Sequence, residues 1–123
     1  MIVAQLSDPH VGGDWDGIDP VPRFAAAVRA VVELRPDAVL VSGDLTEHAA
    51  EEEYATVREL LAPLRAPVFV LPGNHDARGA IRAAFSLEGA GDEPVQYADD
   101  LGELRLVVLD SLLPGSDGGL YVS

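Results

Sequence analysis

Apolar and polar positions alternate along the chain on two different periods. Three short runs, "MIVAQLS" at the start, "DAVLVS" at 37–42 and "APVFVL" at 66–71, are nearly continuously apolar and rich in Val, Ile and Phe. Strands of a parallel sheet, buried on both faces, read this way. Each run empties into a polar loop containing glycine: "DPHVGG", "GDLTEH" and "PGNHD". Between the runs the period becomes helical. Residues 20–34 place Phe24, Val28, Val31 and Val32 on one face, with Pro22 near the start. Residues 49–64 place Tyr54, Val57, Leu60, Leu61 and Leu64 likewise, and the acidic run Glu51–Glu53 suits a solvated helix N-terminus. The alternation predicts βαβ units and an α/β fold with a mostly parallel sheet. A shorter helix is expected at about 78–86, and "EPVQYAD" and "LRLVVLD" around "DLGE" predict a hairpin. The final "PGSDGGLYVS" carries no periodic pattern.

Length and composition narrow the picture. With 123 residues, 48% of them hydrophobic, the chain is one domain's worth and can bury a core. No apolar stretch approaches the roughly 20 residues that cross a bilayer, and the start lacks the basic region of a signal peptide. A cytoplasmic location is the default expectation. The absence of cysteine excludes disulfides and thiolate metal ligands. The net charge is −13 and all eight basic residues are arginines. Such a chain should repel duplex nucleic acid and anionic membrane, so neither is an expected partner. Carboxylates gathered around divalent cations would lower that charge.

Candidate chemistry lies in the three loops. Ligands of open α/β sheets bind beyond the carboxyl ends of the strands, where the loops offer Asp8 and His10, then Asp44, then Asn74, His75 and Asp76. Carboxylate, imidazole and amide suit Mn, Fe, Zn and similar divalent ions. Asp8 and His10, two residues apart on an extended segment, share a face and can hold one ion together. Gly43, Gly73 and Gly12 or Gly13 permit tight turns and close backbone approach.

"DPH", "GDLTE" and "GNHD", in this order and separated by βα units, resemble the first three motifs of the calcineurin-like metallophosphoesterases. The stretches "QLSDPHVG", "APVFVLPGNHD" and "VVLDSLLPGSDGG" resemble the branch that contains bacterial class III cyclic-nucleotide phosphodiesterases. The resemblance implies a four-layered α/β/β/α sandwich, of which this chain supplies the N-terminal half. It also implies a phosphodiesterase that uses two divalent metal ions to activate water, with 3′,5′-cyclic nucleotides among its substrates. By the resemblance, Asp8 and His10 bind the first metal, Asp44 bridges both and Asn74 binds the second. His75 then contacts the phosphate and protonates the leaving alkoxide, with Asp76 orienting its ring.

The chain departs from the family pattern in length. Members continue with further histidine motifs, whereas this sequence holds only His10, His48 and His75. Residues 1–123 are therefore expected to be one truncated domain that is incomplete as an enzyme, with an apolar face of the sheet uncovered. A homo-oligomer covering that face is the expected partner besides a small phosphodiester. The rival reading is a non-catalytic, oligomerising metal-binding module that keeps half of the site. A phosphate-transfer domain of another α/β type is disfavoured by the absence of a Walker lysine. His48 reads as a solvated loop or helix-cap residue, Asp110 as a structural turn residue and Trp15 as a loop residue near the mouth of the site.

Overall fold

The computed structural model describes residues 1–113, and the glycine-rich stretch 114–123 lies outside the described residues. Three parallel strands, β1 (Val3–Leu6), β2 (Ala38–Ser42) and β3 (Val68–Leu71), form a sheet in that order. Val3 lies opposite Ala38, and Val39 opposite Val68. Helix α1 (Pro20–Leu34) joins β1 to β2, and α2 (Glu51–Leu61) joins β2 to β3. Helix α3 (Arg78–Phe85) follows β3. Strands β4 (Gln96–Leu101) and β5 (Leu104–Leu109) form an antiparallel hairpin separate from the parallel sheet. The expected βαβ order, the α/β class and the hairpin are all present.

Local chemistry sets the helix bounds. Asp19 caps α1 by accepting from the Val21 N–H at 2.9 Å, and Pro20 opens the helix where no N–H is needed. Helix α2 is shorter than the expected 49–64. Ala49 is left-handed and Ala50 extended, so helical geometry begins only at Glu51, and Pro63 follows the last turn. The acidic start of α2 is not all solvated. Glu53 is buried and its carboxylate accepts from the Ala50 and His48 N–H groups at 3.2 and 2.8 Å.

Phe24 and Val28 of α1 pack with Tyr54 and Val57 of α2 and with Val41 and Val70 of the sheet in one buried cluster. Burying each such side chain stabilises the fold by about 1.5–3 kcal/mol. Val32, expected in the core, is 37% exposed because its neighbour Val31 takes the buried position. The hairpin leans on β3. The Tyr97 hydroxyl donates to the Val70 carbonyl at 2.6 Å, and its ring stacks on Phe69. Burial there pushes the Tyr97 phenol up to about 12. The uncovered apolar surface differs from the expectation. Ala38, Val39 and Val41 in the middle of the sheet are fully buried. Exposed apolar residues instead include Met1, Ile2 and Val3 at the β1 edge and Leu104, Val107 and Leu109 on β5.

Two arginines fix the chain between α3 and the hairpin. Arg82 donates to the carbonyls of Glu88, Gly91 and Pro94 at 2.8–2.9 Å, pinning the loop that leads to β4. Arg78 forms a bidentate pair with Asp110 at 2.6 and 3.0 Å, and the Asp110 side chain has no exposed surface. The structural reading of Asp110 therefore holds. Burial pushes its carboxyl up, but hydrogen bonds from Arg78 and from the Val95 N–H, with the guanidinium charge, outweigh that and hold it below its ordinary value.

A folded-state pKa below the unfolded one stabilises the fold above the unfolded value near 3.9 and loses that stabilisation as pH falls through the folded value. Asp110→Asn should therefore cost about 3 kcal/mol at pH 7 in urea unfolding. The gap between variant and parent should narrow below about pH 4. A pH-independent gap would refute this account of the pair.

Candidate metal centre

Loops 1 and 2, which follow β1 and β2, run on side by side past the ends of their strands. The N–H groups of Asp8, His10 and Val11 donate to the carbonyls of Gly43, Asp44 and Leu45 at 2.9–3.1 Å, and Glu47 N–H returns a bond to Val11. This pairing brings Asp8 and His10 beside Asp44. Extended alternation is not the cause, because Asp8, His10 and Asp44 are all left-handed, with φ of 54°, 46° and 47°. Asp and His tolerate that region better than most residues, and such strain gathers at functional sites.

The two glycines that matter most make room for protein rather than ligand. A Cβ on Gly73 would lie 2.2 Å from Asp44 Oδ1, and one on Gly12 would lie 1.6 Å from Glu53 Oε2. Loop 3, after β3, can thus cross Asp44 only at a glycine. There the His75 N–H donates to Asp44 Oδ1 at 2.8 Å.

His10 is gripped at both ring nitrogens. Its Nδ1 lies 2.8 Å from the Glu47 carboxylate, which can only accept, so Nδ1 carries the proton. The Nε2 lone pair then faces Asp44 Oδ2 at 3.5 Å and Asp8 Oδ1 at 3.7 Å. Nε2 turned towards two carboxylates is repulsive unless a second ring proton or a metal cation lies among them. The donor atoms of Asp8, His10 and Asp44 all fall within 4.8 Å of one another. Among the described residues this set fits a divalent ion, with Glu47 fixing the histidine tautomer from outside. Asn74 lines a cleft of about 260 Å³ together with Asp8 and Asp44.

Glu47 is the residue that sequence reasoning missed. Besides His10 it holds His75, whose Nδ1 lies 3.0 Å from the Glu47 carbonyl and 3.5 Å from its carboxylate. His10, Glu47 and His75 form a second group of potential metal donors. The only signal in the sequence was an acid in the same polar loop as Asp44. The His75 pKa is raised, chiefly by the Glu47 carbonyl; burial opposes this, and the charges of Glu47, Asp44 and Asp76 add to it.

Asp76 is placed differently from its expected role. Its carboxylate accepts from the N–H groups of Leu45, Thr46 and Gly73 and from the hydroxyls of Thr46 and Tyr54, all at 2.9–3.1 Å. With both oxygens turned to these donors, it does not orient the His75 ring; Glu47 does. Burial first and the Asp76 charge second push the Tyr54 phenol far up, so it remains a donor. His48 stands outside both donor groups, its ring exposed and hydrogen-bonded to Glu53. Trp15 lies at the mouth, its ring centroid 5.7 Å from that of His10. No helix among the described residues is long and apolar enough to cross a membrane.

The family model of the calcineurin-like phosphoesterases matches residues 1–119. The chain is 34% identical to a probable cyclic nucleotide phosphodiesterase of Rhodococcus erythropolis, over 95% of this chain and 42% of that protein. It is 32% identical to the 3′,5′-cyclic adenosine monophosphate phosphodiesterase CpdA of Pseudomonas aeruginosa, over 97% of this chain and 44% of that one. It is 34% identical to the glycerophosphodiester phosphodiesterase GpdQ of Enterobacter lignolyticus, over 97% and 46%. The chain thus spans less than half the length of these relatives. Purple acid phosphatase PPD1 from yellow lupin shares the fold, with a TM-score of 0.63 at 16% identity, over 85% of this chain and 23% of that one.

Two outcomes follow from the geometry. Glu47→Gln, which removes the charge behind His10, should weaken Mn²⁺ binding roughly 10–100-fold in calorimetric titration; unchanged affinity would remove Glu47 from the site. Asp76→Asn replaces one of the two acceptor oxygens with an N–H₂ that faces either the Leu45 and Gly73 N–H groups or the Thr46 and Tyr54 donors, and should destabilise the fold by about 3 kcal/mol in urea. A cost under about 1 kcal/mol would show that Asp76 is not what joins the loops.

Proposed function

The chain belongs to the calcineurin-like phosphoesterase family, and from that premise we propose that it carries the metal-binding core of a phosphodiesterase acting on small phosphodiesters, 3′,5′-cyclic nucleotides among them. The observation that carries this reading is the His10 Nε2 lone pair turned towards Asp8 and Asp44, with Glu47 behind the ring. Relatives named as cyclic-nucleotide and glycerophosphodiester phosphodiesterases support the reaction class.

Asp8, His10, Asp44 and Asn74 would hold the metal, and two divalent ions of the Mn, Fe or Zn kind would supply Lewis-acid polarisation of the phosphoryl group. Asp44 is suited to a shared position. One oxygen faces His10 and the other accepts from loop 3, while its cleft also contains Asn74. His75 is the general acid. Its Nδ1–H is committed to the Glu47 carbonyl, which leaves Nε2 as the ring atom that delivers a proton to the leaving oxygen. The Glu47 carbonyl raises the pKa of His75, the direction a general acid needs. Asp76 acts through loops 2 and 3, by holding His75 and Asp44 in register.

A second reading, a metal-binding module that self-associates without turnover, draws on the exposed apolar residues of β1 and β5. A Cβ on Gly102 in the hairpin turn would lie 3.4 Å from the Met1 methyl, which brings the tip of the hairpin beside the start of the chain.

Any hydrolysis of bis(4-nitrophenyl) phosphate by the Mn²⁺-loaded chain should fall roughly 100-fold or more in Asp44→Asn. Turnover indifferent to the substitution would overturn the assignment. Tight metal binding without turnover, in a dimer by sedimentation, would favour the second reading.

A further inference from the structure

A second cleft, of about 510 Å³, opens between the β1–α1 loop and the first turns of α1 and shares Asp8 and His10 with the metal cluster. Its size suits a small organic ligand rather than a phosphate alone. Its walls are mainly apolar, from Trp15, Ile18 and Phe24, and Arg23 is the cation on its rim. Trp15 is 58% exposed yet held in place. Its N–H and carbonyl pair with Ile18 at 3.2 and 3.0 Å, and Asp14 accepts from Gly17 N–H inside the same turn. Its indole lies edge-to-face with His10, at an interplanar angle of 85°. A large aromatic surface kept in water and fixed beside metal donors is a stacking platform, because every nucleobase has a π-face to lay on it. Arg23 makes no ion pair among the described residues, although the chain carries a net charge of −13.

We propose that this cleft is a base-stacking subsite, in which Trp15 takes the nucleobase of a nucleotide whose phosphate lies at Asp8 and His10. The inference rests on the phosphodiesterase reading for the phosphate position only. It makes the site prefer nucleotide esters to aliphatic ones.

Trp15 is the only tryptophan in the chain, so its fluorescence reports on this cleft directly. The Mn²⁺-loaded chain is titrated with 5′-AMP and with ribose 5-phosphate, and the metal-free chain with adenosine. AMP should quench Trp15 and bind about tenfold more tightly than ribose 5-phosphate. By calorimetry Trp15→Ala should abolish that preference, whereas Trp15→Phe should keep it within about threefold. Mn²⁺-dependent binding of both phosphates with equal affinity would overturn the subsite and leave the phosphodiesterase reading standing. Adenosine quenching without metal, with no gain from Mn²⁺ for either phosphate, would do the reverse. Failure of all three probes to bind, or a preference that survives Trp15→Ala, would overturn the subsite.

Discussion

The arrangement of the loops depends on one buried carboxylate. Asp76 sits just after the third strand and accepts hydrogen bonds from loop 2, from the start of its own loop and from a tyrosine of the second helix. Backbone N–H groups in loops have no strand partner, and burying them unpaired is costly. A single anion meets several of them at once in a place where water is largely excluded. The positions of Asp44 and His75 follow from this, because both lie within two residues of a group that Asp76 holds. The side chain nearest to the expected chemistry by sequence is therefore an organiser of backbone.

Around that anchor the charges are arranged in layers. Asp76 is inside, Asp44 and His10 are nearly buried, and Asp8 is mostly exposed. Glu47 spans two imidazoles with its carboxylate and carbonyl. So many acidic groups in a small volume repel one another unless cations lie between them, and the donor set describes where those cations fit. The same logic explains why Asp110, outside both donor groups, has its own arginine.

The fold was largely legible in the sequence because its signals are local. Val and Phe runs mark the strands, and helix α1 formed over the expected residues with Asp19 and Pro20 at its start. Asp8, His10 and Asp44 were legible as a group because each stands at a strand end. What the sequence hid is tertiary. Glu47 looks like any loop acid until loops 1 and 3 fold against it. Glu53 reads as the third member of a solvated run, yet it turns inward to meet the backbone at Gly12. Arg78 and Arg82 look like surface charges on a short helix, but each clamps a segment more than five residues away. Asp76, which the resemblance assigns to orienting the His75 ring, turns its oxygens to backbone N–H groups of two loops, a tertiary placement that no local signal carries.

The left-handed backbone at Asp8, His10 and Asp44 ties two selections together. Few side chains tolerate that conformation, and Asp, Asn, His and Gly lead the short list. Three of those four also carry the oxygen or nitrogen atoms that divalent ions prefer. A lineage that stopped needing its metal would still be held near the same residue types by the shape of its loops. Drift at these positions would run first to asparagine or glycine, erasing charge while preserving form, and the site would fade chemically long before it unravelled.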